Sequence, residues 1–177
     1  MKKWKTISST KILEHKRLTV YEDIVELPNG QRTDYIHFGK DADAVTMIAM
    51  NNEGKVLLQK EYSYPPDEWL FQFPGGHLLK DEQPEVGAAR EMAEEADLGG
   101  DFKLLNRLLL DNRKRADYLY VYSCNNLKPV KGKKDDEEEF EEHWFTPEEI
   151  DHLISNGKIL TATSLAAWTF YASHRTT

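Results

Sequence analysis

The pattern of apolar and polar positions between residue 1 and about residue 73 predicts β structure. Residues 20–27 alternate apolar and acidic side chains, and the turn signal Pro28-Asn29-Gly30 leads into a second predicted strand at residues 33–38. Residues 44–50 are almost continuously apolar, which is typical of a strand covered on both faces. Residues 55–60 alternate again, so the pattern predicts a series of hairpins.

Helical spacing replaces this alternation after Pro84. Apolar residues recur every three or four positions, at Val86, Ala89, Met92 and Ala96. Proline suits a first helical turn because its missing N–H needs no partner there. Beyond this predicted helix, residues 104–110 and 117–124 are typical of strands.

Two more helices are predicted near the C-terminal end. Thr146-Pro147-Glu148-Glu149 is a capping box with proline at the first helical position, and we expect that helix to end at Gly157. Residues 161–174 predict a closing helix. Strands first, then one helix, then strands and terminal helices indicate an α/β (α+β) fold with a mixed sheet between helices.

Composition and charge exclude several classes of protein. The chain has 177 residues, of which 40% are hydrophobic, so it can bury a substantial core and is not disordered. Its formal net charge is −8 at pH 7, and acidic residues at 135–139, 141 and 142 carry −7 of it. Because no broad basic face is left to follow a phosphate backbone, we expect no nucleic-acid partner.

Cysteine usage and hydropathy bear on the compartment. Cys124 is the only cysteine, which excludes an intrachain disulfide and a multi-cysteine metal site. The first ten residues are not followed by the apolar stretch of a signal peptide, and no segment approaches the length of a membrane span. We expect a cytoplasmic protein without a membrane partner.

The residues that carry candidate chemistry lie between Gly76 and Leu98. Glu91, Glu94 and Glu95 stand at i, i+3 and i+4, so a helix would place their carboxylates on one side. Mutual repulsion and the helix dipole both oppose acids in a last turn. A bound hard cation such as Mg²⁺ would offset both penalties, whereas the alternative is an acidic face exposed to water.

Three neighbouring features favour the cation. Arg90 adjoins the cluster and can hold carboxylates by paired hydrogen bonds. Glu82 precedes the predicted helix and can join the acidic centre. The tight turn Pro74-Gly75-Gly76 can offer a backbone carbonyl to a metal.

The spacing of these residues resembles the Nudix hydrolase box: Gly76, five residues, Glu82, seven residues, then Arg90 to Leu98. One position departs from the family pattern, because Asp97 stands where the box has glycine. Asp adopts left-handed backbone angles only at some cost, and Gly99 and Gly100 offer an alternative turn two residues later.

The resemblance implies a role for each residue of the box. Glu91 and Glu95 would be the principal ligands of Mg²⁺, for which Mn²⁺ is a possible substitute. The assisting groups would be Glu94 and the Gly75 carbonyl, with Glu82 as an outer ligand and Arg90 as the orienting partner. Glu95 and Arg90 therefore also count as catalytic candidates.

Outside the box the chain is similar to the ADP-ribose and nucleoside diphosphate sugar pyrophosphatase branch. That likeness implies a glutamate of the late acidic loop as catalytic base, and Glu138 is the best-matching position. Glu137 and Glu139 are close in register, and an acidic loop exposed to water is the alternative. An arginine usual after the tyrosine of the branch is replaced by Ser63, so Arg113, Lys114 or Arg115 would contact the substrate instead.

The full expectation is a Nudix α/β/α sandwich at residues 43–177 preceded by an antiparallel β-subdomain at residues 1–42. The branch implies that this subdomain mediates a homodimer and completes the base pocket. Aromatic residues before the box would stack on a base, with Tyr62, Tyr64 and Trp69 as candidates.

The implied reaction is Mg²⁺-dependent hydrolysis of the diphosphate bond of a nucleoside diphosphate sugar or ADP-ribose. The alternatives are hydrolysis of a dinucleotide polyphosphate or another nucleoside diphosphate derivative, or a catalytically silent nucleotide sensor on the same scaffold.

Overall fold

The structure is a computed structural model and describes residues 2–40, 42–133 and 140–175. The chain divides into two compact units. The first contains the described residues of Met1–Asp41 together with Leu109–Asp117, and the second those of Ala42–Leu108 and Tyr118–Thr177. The sequence predicted a boundary after residue 42. It did not predict that the segment Leu109–Asp117 belongs to the first unit.

The first unit contains an antiparallel sheet of three strands. The strands β1 (Lys5–His15), β2 (Leu18–Glu26) and β3 (Arg32–Phe38) follow one another in both chain order and sheet order. The turn between β2 and β3 is the predicted one, and Gly30 takes a φ of 86° there, a conformation that glycine adopts without a steric penalty.

The second unit contains two sheets. A four-stranded mixed sheet has the order β7-β4-β9-β8, in which β4 pairs parallel to β9 and antiparallel to β7. A three-stranded sheet has the order β10-β5-β6. The strands are β4 (Ala44–Ala49), β5 (Val56–Ser63), β6 (Glu68–Gln72), β7 (Gly75–His77), β8 (Leu98–Leu109), β9 (Tyr118–Pro129) and β10 (Glu141–Phe145).

Three helices complete this unit, namely α1 (Pro84–Ala96), α2 (Pro147–Ser155) and α3 (Ala162–Arg175). Pro84 opens α1 as predicted. The helix ends at Ala96, and its C-cap Asp97 takes the left-handed conformation, with φ 51° and ψ 31°. The expectation that Gly99 and Gly100 could shift this turn is therefore wrong, because both residues already belong to β8.

The core places helices on both sides of β4. All six residues of β4 are buried, and both α1 and α3 contact this strand. Val45, Met47 and Ala49 cluster with Ala88 and Met92 of α1. Since successive residues of a strand face opposite sides, the intervening residues of β4 face away from α1. The predicted mixed sheet between the box helix and the C-terminal helices is confirmed.

The C-terminal helices begin as the sequence predicts. The Thr146 hydroxyl accepts from the backbone N–H of Glu149, and a Glu149 carboxylate oxygen accepts from the N–H of Thr146. Helix α2 ends at Ser155, and Gly157 follows with a φ of 64°. None of the helices in the described part of the chain is long and apolar enough to cross a membrane.

The capping box predicts a measurable stability effect. Thr146→Ala should lower the free energy of unfolding by about 1 kcal/mol, because the N–H of Glu149 loses its acceptor. Urea denaturation followed by circular dichroism measures this change. Thr146→Ser keeps the hydroxyl and should cost much less, so equal losses in the two variants would contradict the role of the cap.

Candidate active site

The site is built where the short strand β7 meets helix α1. Gly75 pairs with Thr46 of β4, and the two backbones approach so closely that a Cβ on Gly75 would lie 2.2 Å from the Val45 carbonyl oxygen. Glycine is therefore required at this position. This close approach packs the chain immediately after Pro74 against β4. Helix α1 lies beside both strands, since it contacts β4 and β7.

Arg90 is the centre of the site. Its Nε and Nη2 donate to the two carboxylate oxygens of Glu82, each at 2.9 Å. Its Nη1 donates to Glu91 at 2.9 Å and to Glu94 at 2.8 Å. Nη2 also donates to the His77 carbonyl oxygen at 3.0 Å. One guanidinium thus joins three of the predicted carboxylates, which confirms that the residues of the box converge.

This network holds Glu82 as a carboxylate. The hydrogen bonds from Arg90 lower the pKa of Glu82, burial opposes the shift, and the backbone N–H of Leu79 lowers it further by donating at 2.9 Å. The same contacts raise the pKa of Arg90 above its ordinary value, chiefly through Glu82. Glu82 is therefore a fixed anion next to α1, as a paired and hydrogen-bonded acid should be.

Glu91 is the most buried of the acidic side chains of α1, with 8% of its surface exposed. The space for its carboxylate exists because residue 76 is glycine: a Cβ on Gly76 would lie 2.5 Å from the Glu91 carboxyl carbon. Gly76, the glycine of the box, therefore leaves the space that the Glu91 carboxylate occupies. Spacing along the chain does not reveal this role.

Glu95 contacts the turn before β7. One of its carboxylate oxygens accepts from the backbone N–H of Gly75 at 3.0 Å. This bond places Glu95 next to the residue whose carbonyl was predicted to assist a metal. Four predicted ligands, Glu91, Glu94, Glu95 and Gly75, thus lie along one face between α1 and β7.

The donor chemistry of this face fits a hard divalent cation. Its oxygens are carboxylate and carbonyl oxygens, and Gly76 clears the volume that a Cβ would fill beside Glu91. Among the described residues, no three acidic, histidine or cysteine side chains are gathered closely enough to hold a metal by themselves. Mg²⁺ commonly takes only one or two carboxylates and completes its shell with water and substrate phosphates.

The aromatic candidates lie on the β5–β6 hairpin. Tyr62 and Trp69 face each other with ring centroids 5.7 Å apart, and the Lys60 amine lies 5.4 Å from the Trp69 ring. Strand alternation puts Tyr62 on the face opposite to Leu57, which packs in the cluster with α1. Tyr64 is 82% exposed in the turn. A substrate contact of these residues stays a prediction.

The basic candidates lie in the first unit. Tyr35 donates from its hydroxyl to the Arg113 carbonyl oxygen, and the Arg115 guanidinium lies 5.4 Å from the Phe38 ring and faces Asp117 at 3.8 Å. Lys114 donates from its amine to the Ile36 carbonyl oxygen at 3.0 Å. Their contact with substrate also stays a prediction. Glu138, Glu137 and Glu139 lie outside the described residues.

Comparison with known proteins places this geometry in a family. The NUDIX domain family matches residues 40–163, a range that includes every residue of the Arg90 network. The chain belongs to the Nudix family. A second family, the nucleoside diphosphate sugar hydrolase N-terminal domain, matches residues 4–35 of this Nudix protein.

Two relatives of this Nudix protein have names that describe hydrolytic activities. It is 31% identical over 142 residues to the ADP-ribose pyrophosphatase of Bacillus subtilis (strain 168), covering 78% of this chain and 75% of the relative. It is 27% identical over 150 residues to the CMP-5'-(N-acetyl-N-hydroxy-3-aminopropyl)phosphonate hydrolase of Streptomyces rubellomurinus (strain ATCC 31215), covering 82% and 70%.

A solved structure shares the fold of this Nudix protein. The crystal structure of an ADP compounds hydrolase superposes with a TM-score of 0.91 at 18% identity, covering 98% of this chain and 94% of the other. The predicted fold, the membership of the Nudix hydrolases and the likeness to the ADP-ribose and nucleotide-sugar branch are confirmed.

The contact between Gly76 and Glu91 predicts a selective defect. Gly76 does not have a positive φ, so its backbone accepts alanine, and the three atoms nearest to an added Cβ all belong to the movable end of Glu91. Gly76→Ala should leave the melting temperature nearly unchanged while weakening the binding of a divalent cation about 10-fold or more. Electron paramagnetic resonance titration with Mn²⁺ measures the binding.

Glu91→Ala supplies the control background for this prediction. With the colliding carboxylate removed, adding Gly76→Ala should change cation binding no further, because the two substitutions act through one contact. A Gly76→Ala protein that binds Mn²⁺ as tightly as the unaltered chain would contradict this placement of Glu91.

Proposed function

We propose that this protein hydrolyses the diphosphate bond of a nucleoside diphosphate sugar or of ADP-ribose, with Mg²⁺ as its cofactor. The bond between a phosphorus atom and the bridging oxygen breaks, water supplies the new oxygen, and the products are a nucleoside monophosphate and a sugar phosphate. Mn²⁺ is a possible substitute for Mg²⁺.

The observation that carries this proposal is the Arg90 network. Three carboxylates held by one guanidinium are positioned before any substrate arrives, which is the condition for electrostatic catalysis at a diphosphate. A face that only carried solvated acids would not require a buried Glu91 or a glycine cleared beside it.

The residues divide the work as follows. Glu91 and Glu95 would hold the cation, with Glu94 and the Gly75 carbonyl assisting, and Arg90 and Glu82 would keep this set in place. When bound, Mg²⁺ offsets the charge of the diphosphate oxygens and lowers the pKa of a bound water. Glu138 would accept the proton of the attacking water, a role proposed from resemblance alone.

The named relatives support the substrate class. One acts on ADP-ribose and another hydrolyses a CMP derivative, and both names describe a nucleotide joined through phosphorus to a second group. The match of residues 4–35 to a nucleoside diphosphate sugar hydrolase N-terminal domain points to the same class. A dinucleotide polyphosphate and a silent nucleotide sensor are the alternatives that the experiment must separate.

Glu95→Gln tests the proposed ligand set. Glutamine keeps an oxygen that can accept from the Gly75 N–H, so the turn should hold, whereas the loss of the anionic ligand should lower kcat about 100-fold or more. Glu85→Gln, an exposed position in the first turn of the same helix, is the matched control and should leave kcat unchanged.

The assay uses a panel of nucleoside diphosphate sugars, ADP-ribose and a dinucleotide polyphosphate in oxygen-18 water, with mass detection of both products. Turnover that requires Mg²⁺ and falls in Glu95→Gln supports the proposal. Binding without any hydrolysis would identify a sensor, and near-normal turnover of Glu95→Gln would remove this residue from the site.

The homodimer inferred from the resemblance to this branch is a further part of the proposal. Light scattering at micromolar concentration should give about twice the 20.5 kDa mass of one chain. A monomer under these conditions would remove the shared base pocket from the account while leaving the carboxylate site intact.

A further inference from the structure

Asp97 occupies a backbone conformation that disfavours it. Its φ of 51° and ψ of 31° are left-handed, and its N–H caps α1 by donating to the carbonyl oxygens of Met92 and Ala93. Glycine would take these angles without a penalty, and Asp does so at some cost. A compensating role for the side chain would explain why an acid stands at this position.

The structure shows a contact that the Asp97 side chain makes. Its Oδ1 accepts from the backbone N–H of Gly132 at 3.4 Å, a long hydrogen bond. Its carbonyl oxygen accepts from the N–H of Val130 at 2.9 Å. Asp97 is therefore bonded twice to the short segment that follows β9, here called the strap and defined as residues 130–132.

The strap lies directly on the last turns of α1. A Cβ on Gly132 would lie 2.0 Å from the Ala93 carbonyl oxygen and 2.4 Å from the Glu94 backbone nitrogen. A Cβ on Gly99 would lie 2.8 Å from a methyl group of Val130. The backbone of Gly132 therefore packs directly against the backbone of Ala93 and Glu94, and only glycine permits this approach.

We propose that Asp97 is a positioning residue that clasps the strap onto α1 and thereby fixes the turn that presents Glu94 and Glu95. This inference rests on the proposed function, because those two acids matter only if the face binds a cation. The proposal also explains why Asp stands where the box has glycine. The left-handed backbone is less favourable for Asp, but the Asp side chain accepts a second hydrogen bond from the strap.

Asp97→Gly and Asp97→Asn separate this role from a simple cap. Glycine relieves the left-handed backbone but removes the acceptor, whereas asparagine keeps an acceptor oxygen and tolerates the conformation. We expect Asp97→Gly to retain or raise the melting temperature and yet to bind Mn²⁺ about 10-fold more weakly, while Asp97→Asn stays close to the unaltered chain. A role confined to capping predicts instead that Asp97→Gly is at least as good in both measurements.

Amide hydrogen exchange in chelator, with neither metal nor substrate, locates the effect. The Gly132 amide should exchange several times faster in Asp97→Gly, because its acceptor is gone. The Val130 amide should change less, because its acceptor is the backbone carbonyl of residue 97. Unchanged exchange at Gly132, or equal acceleration in Asp97→Asn and Asp97→Gly, would overturn the proposal.

Two further variants sharpen the result. Gly132→Ala should push the strap away from α1, because the added Cβ would collide with the Ala93 carbonyl oxygen. It should therefore weaken Mn²⁺ binding as Asp97→Gly does. Asn126→Gly is the matched control, since Asn126 also has a positive φ of 52° and a side-chain bond, to Asp101 at 2.7 Å. It should leave Mn²⁺ binding unchanged, and an equal loss in this control would overturn the proposal.

The readouts distinguish this inference from the proposed function. If the unaltered chain binds Mn²⁺ and the variants behave as expected but no substrate is hydrolysed, the proposed reaction fails and the clasp stands. If hydrolysis is found but Asp97→Gly binds Mn²⁺ and exchanges at Gly132 like the unaltered chain, the clasp fails alone.

Discussion

The structure of the site depends on one guanidinium that faces three carboxylates. Acids at Glu91 and Glu94 repel each other and oppose the dipole at the end of α1, and Glu82 adds a further negative charge beside them. Arg90 meets all three at 2.8 to 2.9 Å and fixes their orientation through a planar fork. A lysine could not do this, because it presents a single point of charge. In the proposed function, the net negative charge that remains on this face is what would attract a cation to this edge of the protein.

A second constraint is the close approach of backbone segments. Gly75 lets β7 meet β4, Gly76 makes room for the Glu91 carboxylate, and Gly132 lets the strap lie on α1. The contact of Gly76 is with the Glu91 side chain, and that of Gly132 is with the backbone of Ala93 and Glu94. The acids are consequently held by packing as well as by charge, which is how a site keeps its geometry when its ligands leave.

The sequence predicted correctly those helix starts and turns that depend on residues close together in the chain. Proline at the start of α1, the capping box of α2 and the turn at Gly30 all lie where the residues indicate. The strand β1 gave no alternation because every residue in it is exposed. The three-residue strand β7 exists only through its pairing with β4, a contact between distant parts of the chain that no local pattern reports.

In the candidate site, too, contacts between residues close in the chain were predictable and contacts between distant residues were not. The spacing of Glu82, Arg90 and Glu91 was sufficient to predict that they converge, because one helix and its approach turn set their positions. The contact of Gly132 with α1 joins residues far apart in the chain, so nothing in the surrounding Lys-Gly-Lys-Lys sequence marked it. Asp97 was visible as a departure from a pattern, but its partner was not.

The acids of α1 are proposed to form a cation site between this helix and β7. A crystal grown with Mn²⁺ and a non-hydrolysable diphosphate analogue, measured at the manganese absorption edge, tests it most directly. We expect an anomalous peak within bonding distance of the Glu91 and Glu95 carboxylate oxygens and next to the analogue. An analogue bound elsewhere, with no peak at these acids, would contradict it.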